Sequence, residues 1–273
     1  MRRAYLLLRS ARRGWALLSL LGGLALSGTS APDPAPAPSD ELLAPLPGRG
    51  YVLLEDFSAA LPSGLPRGWE WRDKDEKLPK LYEVRTAGER PYLAAQDTGN
   101  SVILLKVLHW NPREYPIMTW CWKATALPPG GDESRDQTND SAAGVYAIFS
   151  TNWLGVPKQI KYVWSTTLPK GTVGRRNKPA RPYFFVLESG EANLGKWRLA
   201  QVDLEKDHQR VFSERPARRT VGLGILTDAN STRSYAEAFY ADFRAWPRQA
   251  LEQGLIDDYC RCLDEAAGRE EQR

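Results

Sequence analysis

The sequence predicts an all-β protein, an antiparallel β-sandwich followed by a C-terminal helix. Short runs rich in aromatic and β-branched residues recur between residues 51 and 246, and Gly, Pro, Asn and Asp separate them. Runs of this length and spacing, with little helical pattern between them, are typical of two packed antiparallel sheets. The chain has 273 residues and is 42% hydrophobic, which is enough for one sizeable core.

Residues 1–31 predict a secretory signal peptide. Five arginines precede an apolar run at residues 16–26, and the small residues 27–31 follow it. The apolar run is short for a membrane-spanning helix, and an uncleaved membrane anchor is the alternative. We therefore expect a periplasmic or secreted protein, which touches a membrane only through this segment if it stays uncleaved.

Residues 32–50 predict an extended tether, because a segment rich in proline and alanine cannot form a packed core. The β-sandwich domain is then expected at residues 51–246, and the C-terminal helix and tail at residues 247–273.

The formal charge of +4 arises in the signal segment, whose five arginines leave 32 basic and 33 acidic residues elsewhere. A folded part without a dominant basic field predicts no nucleic-acid partner.

The predicted strands follow one another along the domain. They lie at residues 51–57, 69–72, 81–86, 92–95, 101–107, 115–124, 140–149, 159–168, 182–188, 197–204, 220–227 and 236–246. Residues 115–124 and 140–149 show the aromatic and β-branched alternation best, and an acidic, glycine-rich loop joins them. We expect this pair to form a β-hairpin inside a larger sheet.

Two helical segments interrupt this pattern. Residues 205–212 predict a short helix between strands. Residues 247–267 predict a longer helix that packs on the sandwich through one apolar stripe, formed by Leu251, Leu255, Ile256, Tyr259 and Leu263.

The three cysteines are Cys121, Cys260 and Cys262. In an oxidising compartment we expect one disulfide, joining Cys121 to either Cys260 or Cys262, because a Cys-x-Cys ring is strained. The third thiol is then left free. His109 and His208 do not lie at a metal-ligand spacing from these cysteines.

Aromatic residues give the first candidate site. Trp120 and Trp122 share one face of a strand, and Tyr146 and Trp164 lie in the next two strands. Stacked aromatic rings on a concave sheet face can bind sugar rings. The alternative, which we favour for the tryptophans, is that they form the core between the sheets, since the chain has 10 of them. Tyr146 and Trp164 remain candidate ligand contacts.

Polar residues at strand ends give the second candidate site. Asn139 and Asp140 begin one strand, Glu188 ends another, and Asp228 and Asn230 follow a third. Strand ends and their loops are where a sandwich places binding groups. Two facing carboxylates among them would serve as acid and base in glycoside hydrolysis. The alternative for Asp228 and Asn230 is a turn, for which both residue types are typical.

Asp56 and Asp242 give a candidate metal site. They lie in the first and last predicted strands, which often meet in sandwiches. With backbone carbonyls they would hold a structural calcium ion, and the alternative is that both are ordinary solvated acids.

Catalytic motifs give no further candidates. The sequence has no Gly-x-Ser-x-Gly nucleophile elbow, no phosphate-binding glycine loop, and no Glu-x-Asp-x-x-Glu run of the kind found in sandwich-fold glucanases. We therefore name no catalytic residue and no cofactor other than calcium.

Several ordered motifs together resemble the bacterial domain-of-unknown-function family 3047. These motifs are WCWKATALP, NDSAAGVYAIF, IKYVW, VLESGEANLGKWRLAQVDLEKDHQRVF, GLGILTDANST and AEAFYADF. The resemblance implies an exported bacterial β-sandwich without an established role. In that family an arginine is usual where this chain has Gly144, and an acid is usual where it has Ala229. This chain departs from the family pattern at both positions, so neither is expected to hold a ligand here.

The opening LLEDFS, the LPSGLPRGW that follows and the closing FYADF look like the first and last strands of jelly-roll carbohydrate-binding modules. We therefore expect a jelly-roll sandwich, carbohydrate-binding-module-like or lectin-like, that binds a glycan or another envelope component without catalysis. The alternatives are a glycan-acting hydrolase with paired carboxylates, and a structural envelope protein that binds a partner through its C-terminal helix.

Overall fold

The computed structural model describes residues 41–71, 81–151, 155–176 and 181–270, with side chains described through residue 265. The predicted signal peptide at residues 1–31 and the first part of the predicted tether lie outside the described residues.

The described chain is a sandwich of two sheets, which confirms the predicted fold class. The strands are Val52–Glu55 (β1), Trp69–Trp71 (β2), Tyr82–Ala87 (β3), Arg90–Asp97 (β4), Leu104–Val107 (β5), Ile117–Ala126 (β6), Ala143–Thr151 (β7), Pro157–Ser165 (β8), Val173–Arg175 (β9), Tyr183–Ser189 (β10), Arg198–Asp203 (β11), Gly222–Leu226 (β12) and Ala236–Trp246 (β13). Sheet A has the order β11-β6-β13-β4-β3, with β1 also paired to β13, and sheet B has the order β2-β5-β12-β7-β8-β10-β9. Between described strands the pairing is antiparallel except for the parallel pair β8 and β10.

The predicted hairpin of residues 115–124 and 140–149 is wrong. The first of these runs forms β6, which pairs with β11 and β13 in sheet A. The second forms β7, which pairs with β8 and β12 in sheet B. Alternation identifies each run as a strand with one buried face, but it does not say which strand lies beside it. The loop between β6 and β7 therefore crosses from one sheet to the other.

Side-chain alternation assigns the two faces of each strand. In β7 the odd positions Ala143, Val145, Ala147 and Phe149 belong to the core between the sheets. The even positions of β7, such as Tyr146, therefore point to the outer face of sheet B.

The core takes up the large aromatic residues of the central strands. Trp120, Trp122 and Trp164 are fully buried, and the Trp122 and Trp164 rings lie 5.8 Å apart. Trp164 also donates an indole hydrogen bond to the carbonyl of Gly190 at 3.1 Å. Trp164 is therefore a core residue and not a ligand contact, which corrects the prediction from sequence.

The first and last strands meet as expected, because β1 pairs with β13. Both strands are irregular there, with shifts of register between Leu53 and Glu55 and between Ala241 and Arg244. Asp242 lies within the second irregularity and adopts a φ of 51°, the left-handed region that an L-residue seldom occupies.

The helices are Leu204–Phe212 (α1), Arg248–Glu252 (α2) and Arg261–Glu270 (α3). The predicted single helix over residues 247–267 is therefore two short helices. Gly254, with a φ of 65°, follows α2 and turns the chain. Because the stripe is broken there, Leu251 and Leu255 stay exposed while Leu263 is buried.

A disulfide joins Cys121 of β6 to Cys260, one of the two pairings that the sequence left open. Cys262 keeps a free thiol. Both bridged cysteines are fully buried, and they pack with Trp197, Phe239 and Leu263 on the outer face of sheet A. The C-terminal segment is thus covalently held against that face.

Candidate functional site

The outer face of sheet B carries a polar site, which we call the Lys161 site. On this face Tyr146 of β7 lies in register with Lys161 of β8 and with Gly224 of β12. Tyr146 is 8% exposed and Lys161 is 6% exposed. Their strand neighbours fill the core, so both side chains project away from it.

The β6–β7 loop, residues 127–142, lies over this face. Its Glu133 accepts a hydrogen bond from the hydroxyl of Ser165 at 2.6 Å. Its Asp136 accepts one from Nη1 of Arg176 at 3.0 Å. Ser165 ends β8 and Arg176 follows β9, so the loop is tied to both strands.

Lys161 is the cation at the floor of the site. Its Nζ donates a hydrogen bond to Oγ of Ser141 at 2.7 Å and lies 5.7 Å from the ring centroid of Tyr146. A Cβ on Gly144 would lie 2.7 Å from Cε of Lys161. The glycine therefore makes room for the lysine, and a larger residue at 144 would need the space that Lys161 fills.

Asp228 is an acid whose carboxyl group is influenced by the charge of Lys161. It follows β12, its backbone N–H donates to the carbonyl of Ser141 at 3.0 Å, and it is 3% exposed. Burial raises the pKa of Asp228 to about 6; the positive charge of Lys161 opposes that rise, and the negative charge of Asp140 adds to it. Asp228 therefore titrates close to neutral pH.

Asp140 anchors the loop between β12 and β13. Fully buried, it accepts hydrogen bonds from the N–H of Ser231 at 3.1 Å, and from the N–H and hydroxyl of Thr232 at 2.6 Å each. Both carboxylate oxygens are thus occupied by protein donors. Its role in this structure is to hold the loop that follows Asp228.

Asn139 and Asn230 lie at the open rim of the site. Asn139 donates through its amide to the hydroxyl of Ser231 at 3.2 Å. Asn230 is exposed, and its backbone N–H contacts the carboxylate of Asp228 at 3.4 Å. The predicted residues Asn139, Asp140, Asp228 and Asn230 are therefore brought together at one end of sheet B.

Glu188 lies apart from this group. It is bound by Lys170 at 3.0 Å and by the amide of Asn193 at 3.1 Å. It is the last residue but one of β10. Asp228 follows β12, which is three strands away from β10 in sheet B. Three strand spacings are roughly 14 Å. Structure and sequence therefore differ on Glu188, which does not share the Lys161 site.

Sequence reasoning did not identify Lys161, Ser141 or Arg176 as site residues. The signal for Lys161 was a single charge inside the apolar run IKYVW, which faces the outer side once the register is known. Arg176 lies in a cluster of basic residues, and such a cluster in a sequence is typical of a solvated loop. Both assignments needed the sheet order.

Asp56 and Asp242, the candidate metal ligands, line one cavity of about 190 Å³ beside the C-terminal segment. Asp242 is already paired with Nε of Arg244 at 2.7 Å, and Asp56 accepts a backbone N–H from Ser58 at 2.9 Å. Within the described residues no three His, Cys, Asp or Glu side chains form a metal-binding group. Calcium usually takes six to eight oxygen ligands, so these two carboxylates would supply a small share of them.

None of the helices in the described part of the chain is both long and apolar enough to cross a membrane.

A family model described as Protein of unknown function (DUF3047) matches residues 67–244. The chain belongs to this family. Most of the DUF3047 match lies within the two sheets, and it includes every residue of the Lys161 site. No curated protein matches the chain significantly.

Solved structures resemble this DUF3047 member only remotely. The family 30 carbohydrate-binding module of the cellulase Cel9D-Cel44B of Clostridium thermocellum is 10% identical, with a TM-score of 0.41, and the match covers 72% of this chain and 97% of the module. The xyloglucanase domain of NopAA from Sinorhizobium fredii, in complex with cellobiose, is 11% identical, with a TM-score of 0.35 and coverage of 66% and 92%. At these TM-scores the similarities carry no argument about ligand or activity.

Proposed function

We propose that this protein is an exported, non-catalytic binding module for a glycan or another hydroxyl-rich envelope component, and that the ligand binds at the Lys161 site. The observation that carries the proposal is the group of buried polar side chains at one sheet end, where Lys161, Asp228 and Tyr146 lie close to the β6–β7 loop. The tryptophans of the inner sheet faces are buried in the core and cannot contact a ligand.

A hydroxyl-rich ligand both donates and accepts hydrogen bonds, and the site offers both. Lys161 and Arg176 donate, the carboxylate of Asp228 accepts, and the amide of Asn230 does either. The loop that carries Asp228 and Asn230 is anchored by the buried Asp140, so this part of the rim is held in place before a ligand arrives. Such preorganisation lowers the cost of binding.

The paired-carboxylate hydrolase has less support. Glycoside hydrolysis needs two carboxyl groups about 5 to 10 Å apart in one cleft. Asp228 and Glu188 are about three strand spacings apart, roughly 14 Å, which is too far. Both oxygens of Asp140 already accept hydrogen bonds from the β12–β13 loop. Burial raises the pKa of Asp228 to about 6, as a general acid needs, but neither of the other two predicted carboxylates is free beside it.

The partner-binding C-terminal helix also has less support. Leu263 is buried against sheet A, and the disulfide at Cys260 fixes the segment there. Leu251 and Leu255 remain exposed, but two side chains are a small surface for a partner.

Export is part of the proposal. The signal segment motivates it, and a buried disulfide is typical of proteins that fold in an oxidising compartment. A chain tagged at its C-terminus should lose about 3 kDa on export in a bacterial host, as the mass of residues 1–31 is removed. A full-length cytoplasmic product with reduced cysteines would contradict export.

Structural calcium at Asp56 and Asp242 stays a separate proposal. Addition of calcium should raise the unfolding midpoint of the wild type, and Asp56→Asn should remove the rise. An equal midpoint with calcium and with chelator would contradict the calcium site without affecting the Lys161 site.

The binding proposal is tested by titrating a panel of soluble polysaccharides into the wild type and into Asp228→Asn and Asn230→Ala. Loss of a hydrogen bond to a charged group should weaken binding about 10-fold or more for Asp228→Asn. Glu252→Gln is the matched control, because Glu252 is an exposed acid on α2, away from sheet B. Binding that survives in Asp228→Asn and Asn230→Ala, or that falls equally in Glu252→Gln, would contradict the proposed site.

A further inference from the structure

Lys161 differs from Lys106 of β5 and Lys158 of β8, which are half-buried and each form an ion pair with a glutamate. Lys161 is the most buried of these three, yet in the described part of the chain no carboxylate lies within ion-pair distance of its Nζ. A buried charge is usually paired, because taking it out of water is costly.

The ammonium group of Lys161 also has donor capacity left. It carries three N–H groups, and the hydroxyl of Ser141 accepts one of them. The phenol group of Tyr146 is its second hydrogen-bond partner, and the ring centroid of Tyr146 lies 5.7 Å from Nζ. One N–H group therefore has no partner within the described residues. Gly144 has no side chain and leaves the space that Lys161 fills, so the backbone of the neighbouring strand accommodates the buried lysine.

A second cation lies on the same face. Arg176 has a side chain that is 13% exposed, and Asp136 of the covering loop binds it. Burial lowers the pKa of Arg176, and the positive charge of Arg181 lowers it further. Burial raises the pKa of Tyr146, and the positive charges of Lys161 and Arg176 oppose that rise. Arg176 is therefore close to both Tyr146 and another arginine.

The charges around Lys161 are mixed, and most of the acids already bind protein groups. Asp136 pairs with Arg176, Asp140 holds the β12–β13 loop, and Glu133 accepts a hydrogen bond at the end of β8. Asp228 is partly protonated near neutral pH, because its pKa is about 6. An acidic group on a ligand would supply the missing partner of Lys161.

We propose that the Lys161 site binds the acidic group of an anionic glycan, with Lys161 and Arg176 as its hydrogen-bond donors. This inference rests on the proposed function, since it names the ligand class of the same site. The shared chemistry is a carboxylate, sulfate or phosphate that accepts two or more charged hydrogen bonds.

The experiment uses two matched pairs of polymers. Polygalacturonate is compared with its fully methyl-esterified form, and dextran sulfate with dextran, so that each pair shares a sugar backbone and differs in its acidic groups. Inorganic phosphate is titrated as a small anion without sugar. The proteins are the wild type, Lys161→Met, Arg176→Gln and Arg218→Ala, all checked for native unfolding midpoints.

We expect the wild type to bind at least one acidic polymer about 10-fold or more tightly than its neutral counterpart, which corresponds to one charged hydrogen bond or more. Lys161→Met and Arg176→Gln should remove this preference. Arg218→Ala should keep it, because Arg218 is an exposed cation that precedes β12 at the end opposite to Asp228. If Lys161→Met does not fold, Arg176→Gln decides by the same comparison.

The outcomes separate the inference from the proposed function. Equal binding of the acidic and neutral polymers by the wild type would overturn the anionic ligand and leave a glycan module. Binding of phosphate that needs Lys161, with no binding of any polymer, would overturn the glycan module and leave an anion site. A preference for acidic polymers that Arg218→Ala also abolishes would overturn the assignment to Lys161.

Discussion

The outer faces of the two sheets are closed in different ways. On sheet A a disulfide joins Cys121 to Cys260, and apolar residues such as Leu263 and Phe239 pack around it. On sheet B a loop covers Lys161 and Tyr146, and charged or hydroxyl groups make the contacts. One face is sealed by a covalent bond and apolar packing, and the other by hydrogen bonds that a ligand can replace.

This difference indicates where function lies. Apolar packing beside a disulfide does not open without a large loss of stability, whereas a buried cation that forms no ion pair gains from a new acidic partner. We therefore assign structure to the outer face of sheet A and binding to that of sheet B, and the predictions below test this division.

The largest effect is expected in the core that separates the two faces. Trp164→Ala should lower the free energy of unfolding by about 3–5 kcal/mol, because it leaves a cavity beneath sheet B. Tyr146→Phe, on the outer face of the neighbouring strand β7, should cost under about 1 kcal/mol. Urea unfolding measures both. Equal losses would mean that Tyr146 belongs to the core and that the outer face is not a separate surface.

The next effect concerns the disulfide of sheet A. Cys260→Ser should lower the free energy of unfolding by about 2–5 kcal/mol, since the bridge closes a long loop. Cys262→Ser is the matched control and should change little, because its thiol is free. Ligand affinity of the folded Cys260→Ser protein should equal that of the wild type. A large loss of affinity would show that the two faces are coupled.

A smaller effect concerns the pH dependence of stability. The pKa of Asp228 is raised to about 6 in the folded state from 3.8, so the folded protein binds this proton more tightly than the unfolded chain does. Stability should therefore fall by about 2 kcal/mol as pH rises from 4 to 7. Asp228→Asn should remove this part of the profile and unfold at higher urea than the wild type at pH 7. Identical profiles for the two proteins would contradict the raised pKa.

The sequence predicts the strands well because alternation is a local property. Residues 236–246 match β13 at both ends, and the meeting of β1 with β13 follows from their places at the two ends of the domain. The pairing of β6 and β7 is the failure, since partners depend on the whole sheet order. The parallel pair β8 and β10 was missed for the same reason.

The candidate site is predictable in part. Asp140 and Asp228 are strand-end acids, and the fold brings them to one place. Glu188 is also a strand-end acid, but its strand lies elsewhere in sheet B. Lys161 could not be assigned from sequence, because its burial depends on Gly144 in a neighbouring strand and on the loop above it.

The central claim is that the ligand binds on the outer face of sheet B. Hydrogen–deuterium exchange of the wild type, with and without a bound polysaccharide, tests it most directly. The account predicts slower exchange at residues 128–142 and 228–234 on binding, with no change at residues 247–265. Slower exchange confined to residues 247–265 would contradict it and would place the ligand on sheet A.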